Sequence, residues 1–307
     1  MNEVNYTPFL KLKGNEIAAL KELYSPLKEL ITPFFDFPPK QDSRKVADFS
    51  KQCATNAKKI AKNLGVGQTL YLDTYDIEDH IVAGVNGYLY LLSEFAEFDV
   101  IPVTGMDRSI QHHQSINDFV SAKTDAGSII AYRVTPHDFV NFDAIEEEIT
   151  ESLDGLIYDL FTQVDLIMDC RITLNLDQNQ VTQTAQNIIN FTSKFSSKYP
   201  VRKVIVTGSS IPISLVEIVS TNDYAAVDRN EIAIHQMVKQ AFDEQHNIEF
   251  GDYTTVSPEF GEPNQMAAMN AASKLIYADS NKHHIWRGKR LRGPPSKAYL
   301  YNEHILA

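Results

Sequence analysis

The chain has 307 residues, of which 43% are hydrophobic, and its formal net charge is −12. This negative charge argues against general binding to nucleic acids or anionic membranes, because both need a basic face on the protein. No stretch is apolar enough to cross a bilayer, and the N-terminus lacks the apolar core of a signal peptide. We therefore expect a cytoplasmic protein whose residues 1–307 form a single domain.

The predicted elements begin with an N-terminal extension, residues 1–30, in which EIAALKELYSPLKEL predicts a helix broken at Ser25–Pro26. Eight short apolar runs follow, separated by helix-length segments. In chain order they are ITPFFDF from Ile31, TLYLDTYD from Thr69, DVIPVTG from Asp99, GSIIAYRVT from Gly127, VDLIMDCRI from Val164, RKVIVTGSS from Arg202, NIEFGDY from Asn247 and KLIYAD from Lys274. The alternation predicts a parallel (β/α)8 TIM-like barrel with an N-terminal helical extension.

The segment between the sixth and seventh runs is unusually long. Leu215 to Gln245 contains no clear strand, and Asn222 to Asn230 looks like a break within it. A helix is predicted near Glu231 to Phe242, after this break.

The alternation within each strand predicts which side chains enter the barrel, since the row that packs under the helices should be apolar. On the fifth run, Leu166, Met168 and Cys170 form the outward row, which turns Asp169 and Arg171 inward. The same rule applied to the other strands brings six charged side chains into one lumen: Asp36, Asp73, Arg133, Asp169, Arg171 and Glu249.

Two interpretations of these inward charges remain open. In the first, they form an internal ion-pair network that fills the barrel, because buried charges must be paired. In the second, they form a site at the carboxyl ends of the strands, where barrels place their chemistry. Asp36, Asp73, Asp169 and Glu249 would then be catalytic groups or ligands of Mg²⁺ or Mn²⁺, which prefer oxygen ligands. Residues just past the strand ends would line the rim: Asp76, Thr104, Asp107, Ser210 and Asp252, with Ser209 pointing inward.

A basic segment follows the eighth run directly. Residues 282–307 are predicted to be a C-terminal loop and tail, with six cations and no acid between Lys282 and Lys297. Barrels often bind phosphate in the loops after strands seven and eight, and arginine suits that ligand. We expect Arg287, beside Gly288, to join Arg133, Arg171, Ser209, Ser210 and Asp252 in binding an anionic substrate. The alternatives are a solvated basic tail or a patch that touches nucleic acid.

The two cysteines, Cys53 and Cys170, lie on different predicted elements and have no neighbour at metal-binding spacing. They are expected to be free, buried thiols in a reducing compartment. The sequence also lacks the glycine-rich motifs of Rossmann and P-loop nucleotide sites.

Several segments resemble the Beta protein family of phages and bacterial genomes. They are YTPFLKLKGNEIAALKELYSPLKELITPFFDFPP at the start, TGSSIP from Thr207, RNEIAIHQMV from Arg229, FGDY from Phe250, and the stretch from LIYAD to WRGKRLRG. The resemblance spans nearly the whole chain. It implies the fold and a phage or antiphage context, and it supplies no catalytic residue, since no reaction is established for that family.

Two hypotheses for the function follow. One is a metal-assisted hydrolase or lyase that acts on a phosphate-bearing small molecule or nucleotide, with Arg133, Arg171 and Arg287 holding the anion. The other is a non-catalytic protein of phage–host conflict that binds a protein partner and uses the barrel as a scaffold.

Overall fold

The computed structural model of the chain describes residues 6–37, 46–74, 81–82, 84–122, 129–242, 245–259 and 272–290. Its strands are β1 (Tyr6–Lys11), β2 (Phe34–Asp36), β3 (Thr69–Asp73), β4 (Ile81–Val82), β5 (Val85–Asn86), β6 (Asp99–Thr104), β7 (Ile129–Val134), β8 (Gln163–Ile172), β9 (Val201–Ser209), β10 (Asp223–Asp228), β11 (Ile248–Asp252), β12 (Ala272–Ala278) and β13 (Lys282–Arg290). Its α-helices are α1 (Gly14–Glu22), α2 (Ser25–Lys28), α3 (Val46–Leu64), α4 (Gly87–Glu94), α5 (Ile110–Ser121), α6 (Phe142–Leu160), α7 (Gln178–Ser196) and α8 (Asn230–Phe242). None of the helices in these ranges has the length and apolar content needed to span a bilayer.

Eight of the strands close into a parallel barrel in the order β1–β11–β9–β8–β7–β6–β3–β2. Helices alternate with most of these strands and cover the outside of the barrel, which confirms the predicted (β/α)8 fold. The helix predicted near Glu231 to Phe242 is present as α8.

The two faces of most barrel strands contribute side chains to two separate apolar cores. Leu166, Met168 and Cys170 of β8 belong to the outer core beneath the helices, as the alternation predicted. The inner core fills the lumen and is built from the following side chains: Phe9, Phe34, Tyr71, Ile101, Val103, Ala131, Ile167, Ile205 and Tyr253. The lumen is therefore a packed interior, and polar side chains are found toward its two ends.

The first strand of the barrel is not the one that the sequence predicted. Residues 6–11, assigned to the N-terminal extension, form β1, which lies between β2 and β11 and closes the barrel. The predicted extension does contain helices, and they are α1 and α2, which follow β1. Pro8 is accommodated in β1 although proline donates no hydrogen bond to a ladder.

The run KLIYAD from Lys274 is not a barrel strand either. It forms most of β12, which pairs with β13 in a three-stranded antiparallel sheet of order β10–β13–β12. The predicted basic loop is thus a strand over Lys282–Arg290, and the predicted break at Asn222 to Asn230 contains β10. Arg292 and Lys297 lie outside the described residues.

Candidate functional site

Arg133 lies at the centre of the charged cluster in the lumen. It is the fifth residue of β7 and is 3% exposed. Its Nη1 donates to Asp36 at 2.8 Å and to Asp73 at 2.7 Å, and its Nη2 donates to Asp169 at 2.7 Å. Three carboxylates from β2, β3 and β8 therefore meet one guanidinium, as the parity of the strands predicted.

Two members of this cluster were missed by the sequence analysis. Arg108, in the segment after β6, donates to both oxygens of Asp73 at 3.0 and 2.9 Å. The hydroxyl of Tyr253, directly after β11, donates to Asp169 at 2.6 Å and accepts from Arg133. Burial raises the pKa of Tyr253, so it stays a donor at neutral pH. Neither residue lies within a strand, so the alternation rule could not assign them to the lumen.

The pKa values of two neighbouring carboxyls in the cluster shift in opposite directions. Burial raises the pKa of Asp36 to about 6, although Arg133 opposes this shift. Burial also acts on Asp73, but there the charges of Arg108 and Arg133 outweigh it and lower the pKa. One carboxyl can therefore exchange a proton near neutral pH while the other remains ionised.

The backbone is strained at this end of the barrel. Arg171 has a φ of 54° and Thr254 a φ of 57°, in the left-handed region that non-glycine residues rarely adopt. Such residues cost on the order of 1–3 kcal/mol each and cluster at functional sites. The backbone N–H of Arg171 donates to Asp169, and its guanidinium lies 3.8 Å from the same carboxylate. The predicted inward position of Arg171 at the mouth therefore agrees with its contacts.

Glu249 does not join this cluster, although it was predicted to. Its carboxylate accepts from Lys203 at 2.7 Å and from Thr7 at 2.7 Å, near the amino ends of β9 and β1. Asp165 binds Arg202 and Tyr71 in the same region, four residues before Asp169 and thus about 13 Å away along β8. The alternation rule gives the direction of a side chain but not its height, and Glu249 lies at the opposite end of the lumen.

Three residues predicted at the mouth form hydrogen bonds with neighbouring parts of the protein outside the cluster around Arg133. Asp252 accepts from Tyr6 and Arg229, while Ser210 donates to Glu231 at 2.7 Å. Ser209, which ends β9, donates to the Val256 carbonyl at 2.9 Å. Of the other rim residues, Thr104 is buried, Asp107 contacts Arg108 at 3.5 Å, and Asp76 lies outside the described residues.

Arg287 lies on β13 rather than in a loop. Its guanidinium donates to the Val219 carbonyl at 2.6 Å, and its register partners are Asp223 and Lys274. The phosphate site was predicted beside Gly288, which lies on the same strand, and there Arg287 already donates to a backbone carbonyl. This strand belongs to the antiparallel sheet and not to the barrel that contains Arg133.

A polar pocket of about 190 Å³ adjoins the mouth on the side of β1. Its lining includes Lys11, Lys13, Glu16, Glu259 and Lys274. Lys11 follows Thr7 and Phe9 on the lumen face of β1, and its register partner on β2 is Asp36. The pocket and the carboxylate cluster are thus adjacent parts of one mouth.

Two groups in this pocket titrate near neutral pH. Burial, and then the charge of Lys13, lowers the pKa of Lys11 to about 8. Burial raises the pKa of Glu16 to about 7, although the backbone N–H of Lys11 donates to it and opposes the rise. Neither residue was singled out by the sequence analysis, because Lys11 was placed in the extension and not in a barrel strand.

Arginine nitrogens occupy the position between the carboxylates that Mg²⁺ or Mn²⁺ was expected to take. Within the part of the chain that the structure describes, no group of three or more His, Cys, Asp or Glu side chains is arranged to hold a metal ion. The carboxylates of Asp36, Asp73 and Asp169 form ion pairs with the guanidinium groups of three arginines, which are Arg133, Arg108 and Arg171.

The barrel is similar to that of diaminopimelate decarboxylase from Helicobacter pylori in complex with L-lysine, with a TM-score of 0.51 and 11% identity. The match covers 81% of this chain and 56% of the decarboxylase, so the chain spans little more than half of that protein. An alanine racemase of Clostridium difficile 630 matches with a TM-score of 0.43 and 9% identity over 96% of this chain and 77% of its own. At 11% identity the likeness to the decarboxylase shows the fold alone.

No curated protein matches the sequence. The sequence model of the Beta protein family matches residues 6–303 of this chain, a range that includes every barrel strand and the antiparallel sheet. This match confirms the resemblance seen in the sequence segments at both ends of the chain. The chain therefore belongs to the Beta protein family.

Proposed function

We propose that the barrel mouth is the active site of a hydrolase or lyase that acts on a small phosphate-bearing molecule. One observation carries the proposal: Asp36, Glu16 and Lys11 have pKa values of about 6, 7 and 8 and lie at the same end of the barrel. Side chains that exchange protons near neutral pH are what general acid–base catalysis requires.

The charged residues of the mouth suit an anionic substrate. Lys11, Lys13 and Lys274 line the pocket, and Arg171 is 17% exposed beside Asp169. A phosphate group would bring the negative charge that these cations complement. The pocket volume of about 190 Å³ favours a small phosphorylated compound over a whole nucleotide, since typical ligand pockets are larger.

The roles within the site follow from these environments. Asp36 would act as the general acid or base, because burial raises its pKa to about 6. Asp73, whose pKa is lowered, would stay ionised, and its ion pair with Arg133 and that of Asp169 would hold the guanidinium in place. Glu249, Asp252 and Ser210 bind other parts of the protein and would support the fold.

Turnover of a panel of sugar phosphates and nucleoside monophosphates, followed by mass spectrometry, tests the proposal. The Asp36→Asn variant keeps the shape of the side chain but cannot donate or accept the proton, so its turnover should fall about 100- to 10,000-fold. Asp118→Asn, on the exposed face of α5, is the matched control and should retain full activity. Turnover that survives in Asp36→Asn, or a wild-type protein that neither binds inorganic phosphate nor consumes any member of the panel, would contradict the proposal.

A second candidate function is a binding protein of phage–host conflict, and one observation favours it. The antiparallel sheet carries Tyr224 and Tyr277, which are 45% and 61% exposed, beside His284 and Trp286. Exposed aromatic clusters are enriched at protein interfaces. Affinity capture of a partner protein by the wild-type chain but not by Tyr277→Ser would support this function, and equal capture by both would contradict it.

A further inference from the structure

Lys11 occupies an unusual place for a lysine. It ends β1, its side chain is directed toward the barrel lumen, and the residue is only 5% exposed. Its Nζ donates to the backbone carbonyl of Glu259, and its register partner is Asp36. The amine is thus fixed at the carboxyl end of the barrel, at the wall of the polar pocket.

The surroundings of Lys11 make its amine a nucleophile near neutral pH. With a pKa of about 8, roughly a quarter of the amines are neutral at pH 7.5, against about 0.1% for an ordinary lysine. Only the neutral amine can attack an electrophile, and lysines desolvated in this way are used in covalent catalysis.

We propose that Lys11 forms an imine with a small aldehyde or ketone that carries a phosphate group and binds in the pocket at the barrel mouth. This inference rests on the proposed function and narrows its substrate to a carbonyl compound. It also favours a lyase over a hydrolase, because an imine withdraws electrons from the neighbouring carbon and eases cleavage of a bond there.

The chemistry balances without an oxidant or reductant. The neutral amine of Lys11 attacks the carbonyl carbon, and the former carbonyl oxygen becomes a hydroxyl after taking up one proton. The nitrogen gives up one proton as it adds to the carbon, and the hydroxyl leaves as water when it receives a second proton. The C=N bond then forms as a protonated imine, and loss of the last proton from the nitrogen gives the neutral imine. Glu16, which lines the same pocket and has a pKa of about 7, is placed to supply the proton to the leaving oxygen.

The other lysines of the region provide matched comparisons. Lys13 and Lys274 line the same pocket but are exposed, so we assign them to binding the phosphate group. Lys203 is also buried in the barrel, yet its Nζ is paired with Glu249 at 2.7 Å at the far end of the lumen. Burial alone therefore does not make a lysine of this barrel a candidate for imine formation. Lys11 is a candidate because it is buried and also lines a pocket.

Trapping of the imine by reduction tests the proposal. The full-length protein is incubated with glyceraldehyde 3-phosphate and sodium cyanoborohydride, and the modified lysines are located by peptide mass spectrometry. At pH 7.5, Lys11 should be labelled at least 10-fold faster than Lys13, Lys203 or Lys274, and its labelling rate should rise with a midpoint near pH 8. Glyceraldehyde, which lacks the phosphate, should label Lys11 at least 5-fold more slowly.

Variants separate nucleophilic attack from simple charge effects. Lys11→Arg retains the positive charge and should lose the label at this position, while Lys194→Arg, on the exposed face of α7, should retain labelling of Lys11. Thermal unfolding of both variants checks that they fold. Because the labelling pattern of the wild-type protein is itself a readout, the test does not depend on the folding of Lys11→Arg.

The outcomes also separate this inference from the proposed function. Labelling of Lys11 no faster than that of Lys13 overturns the imine, even where turnover depends on Asp36. Selective labelling of Lys11 supports the imine, and if it occurs while no phosphate-bearing compound is consumed, the proposed function fails instead.

Discussion

Asp36 and Asp73 accept hydrogen bonds from the same nitrogen, Nη1 of Arg133, at 2.8 and 2.7 Å, yet the pKa of one is raised and that of the other is lowered. The two residues are register partners on β2 and β3, so their backbones are equivalent. The difference lies in Arg108, which binds both oxygens of Asp73. A single arginine from the segment after β6 is thus the reason that the pKa values of two adjacent carboxyls shift in opposite directions.

The first prediction concerns the centre of the cluster. Replacing Arg133 with Met should lower the free energy of unfolding by about 3–5 kcal/mol, because it leaves three buried carboxylates without their shared cation. Urea unfolding at pH 7 measures the change. Lys194→Met, which removes an exposed ion pair with Asp143, is the control and should cost less than about 1 kcal/mol. Similar small losses in both variants would show that Arg133 does not hold the cluster together.

The second prediction concerns pH. Because the pKa of Asp36 rises from 3.8 to about 6 on folding, the stability that this group contributes is fully present below pH 4 and is lost as the pH rises through 6. The Asp36→Asn variant lacks this loss. We therefore compare the free energy of unfolding of the variant with that of the wild type at both pH values. The variant's value minus the wild type's should be about 2 kcal/mol higher at pH 7.5 than at pH 4. A stability difference that does not change with pH would show that Asp36 titrates normally.

The third prediction concerns the other end of the lumen. Glu249→Gln should destabilise the protein by about 3 kcal/mol, because it leaves the buried ammonium of Lys203 without its partner. Replacing both residues, as Lys203→Met with Glu249→Leu, should recover most of that loss. Since Glu249 lies away from the mouth, binding of inorganic phosphate by Glu249→Gln should stay within about twofold of the wild type. A selective loss of phosphate binding would restore Glu249 to the site.

The fourth prediction concerns the thiols. Cys53 and Cys170 are buried and neither is in a disulfide, as the sequence predicted, and burial raises the pKa of Cys170. Neither thiol should react with a water-soluble disulfide reagent in the native protein, and two thiols should react in denaturant. Rapid reaction of one thiol under native conditions would contradict the packing of α3 or β8.

The alternation of apolar and polar residues predicted most of the barrel strands and the charged cluster around Arg133. It predicted seven of the eight barrel strands and directed Asp36, Asp73, Arg133 and Asp169 into one lumen. This succeeded because period-two patterns report the direction of side chains, and buried charges need each other as partners.

The same reasoning failed where pairing between distant segments decides the structure. YTPFLK and KLIYAD are both short apolar runs, and their composition cannot tell which one joins the barrel. The assignment of β1 depends on its pairing with β11, about 240 residues away in sequence. Because the pattern predicts an extension over residues 1–30, it cannot place Lys11 at the mouth.

The position of β1 has a consequence for how the protein folds. Because β1 pairs with both β2 and β11, the barrel cannot close until residues 248–252 have left the ribosome, although β1 is made first. Until then, the edges with which β1 and β11 pair in the closed barrel have no partner strand. Unpaired strand edges of this kind promote aggregation. A closure of such large sequence separation is slow. The mouth, which needs Lys11 beside Asp36 and Tyr253 beside Asp169, is accordingly assembled only when the two ends of the barrel meet.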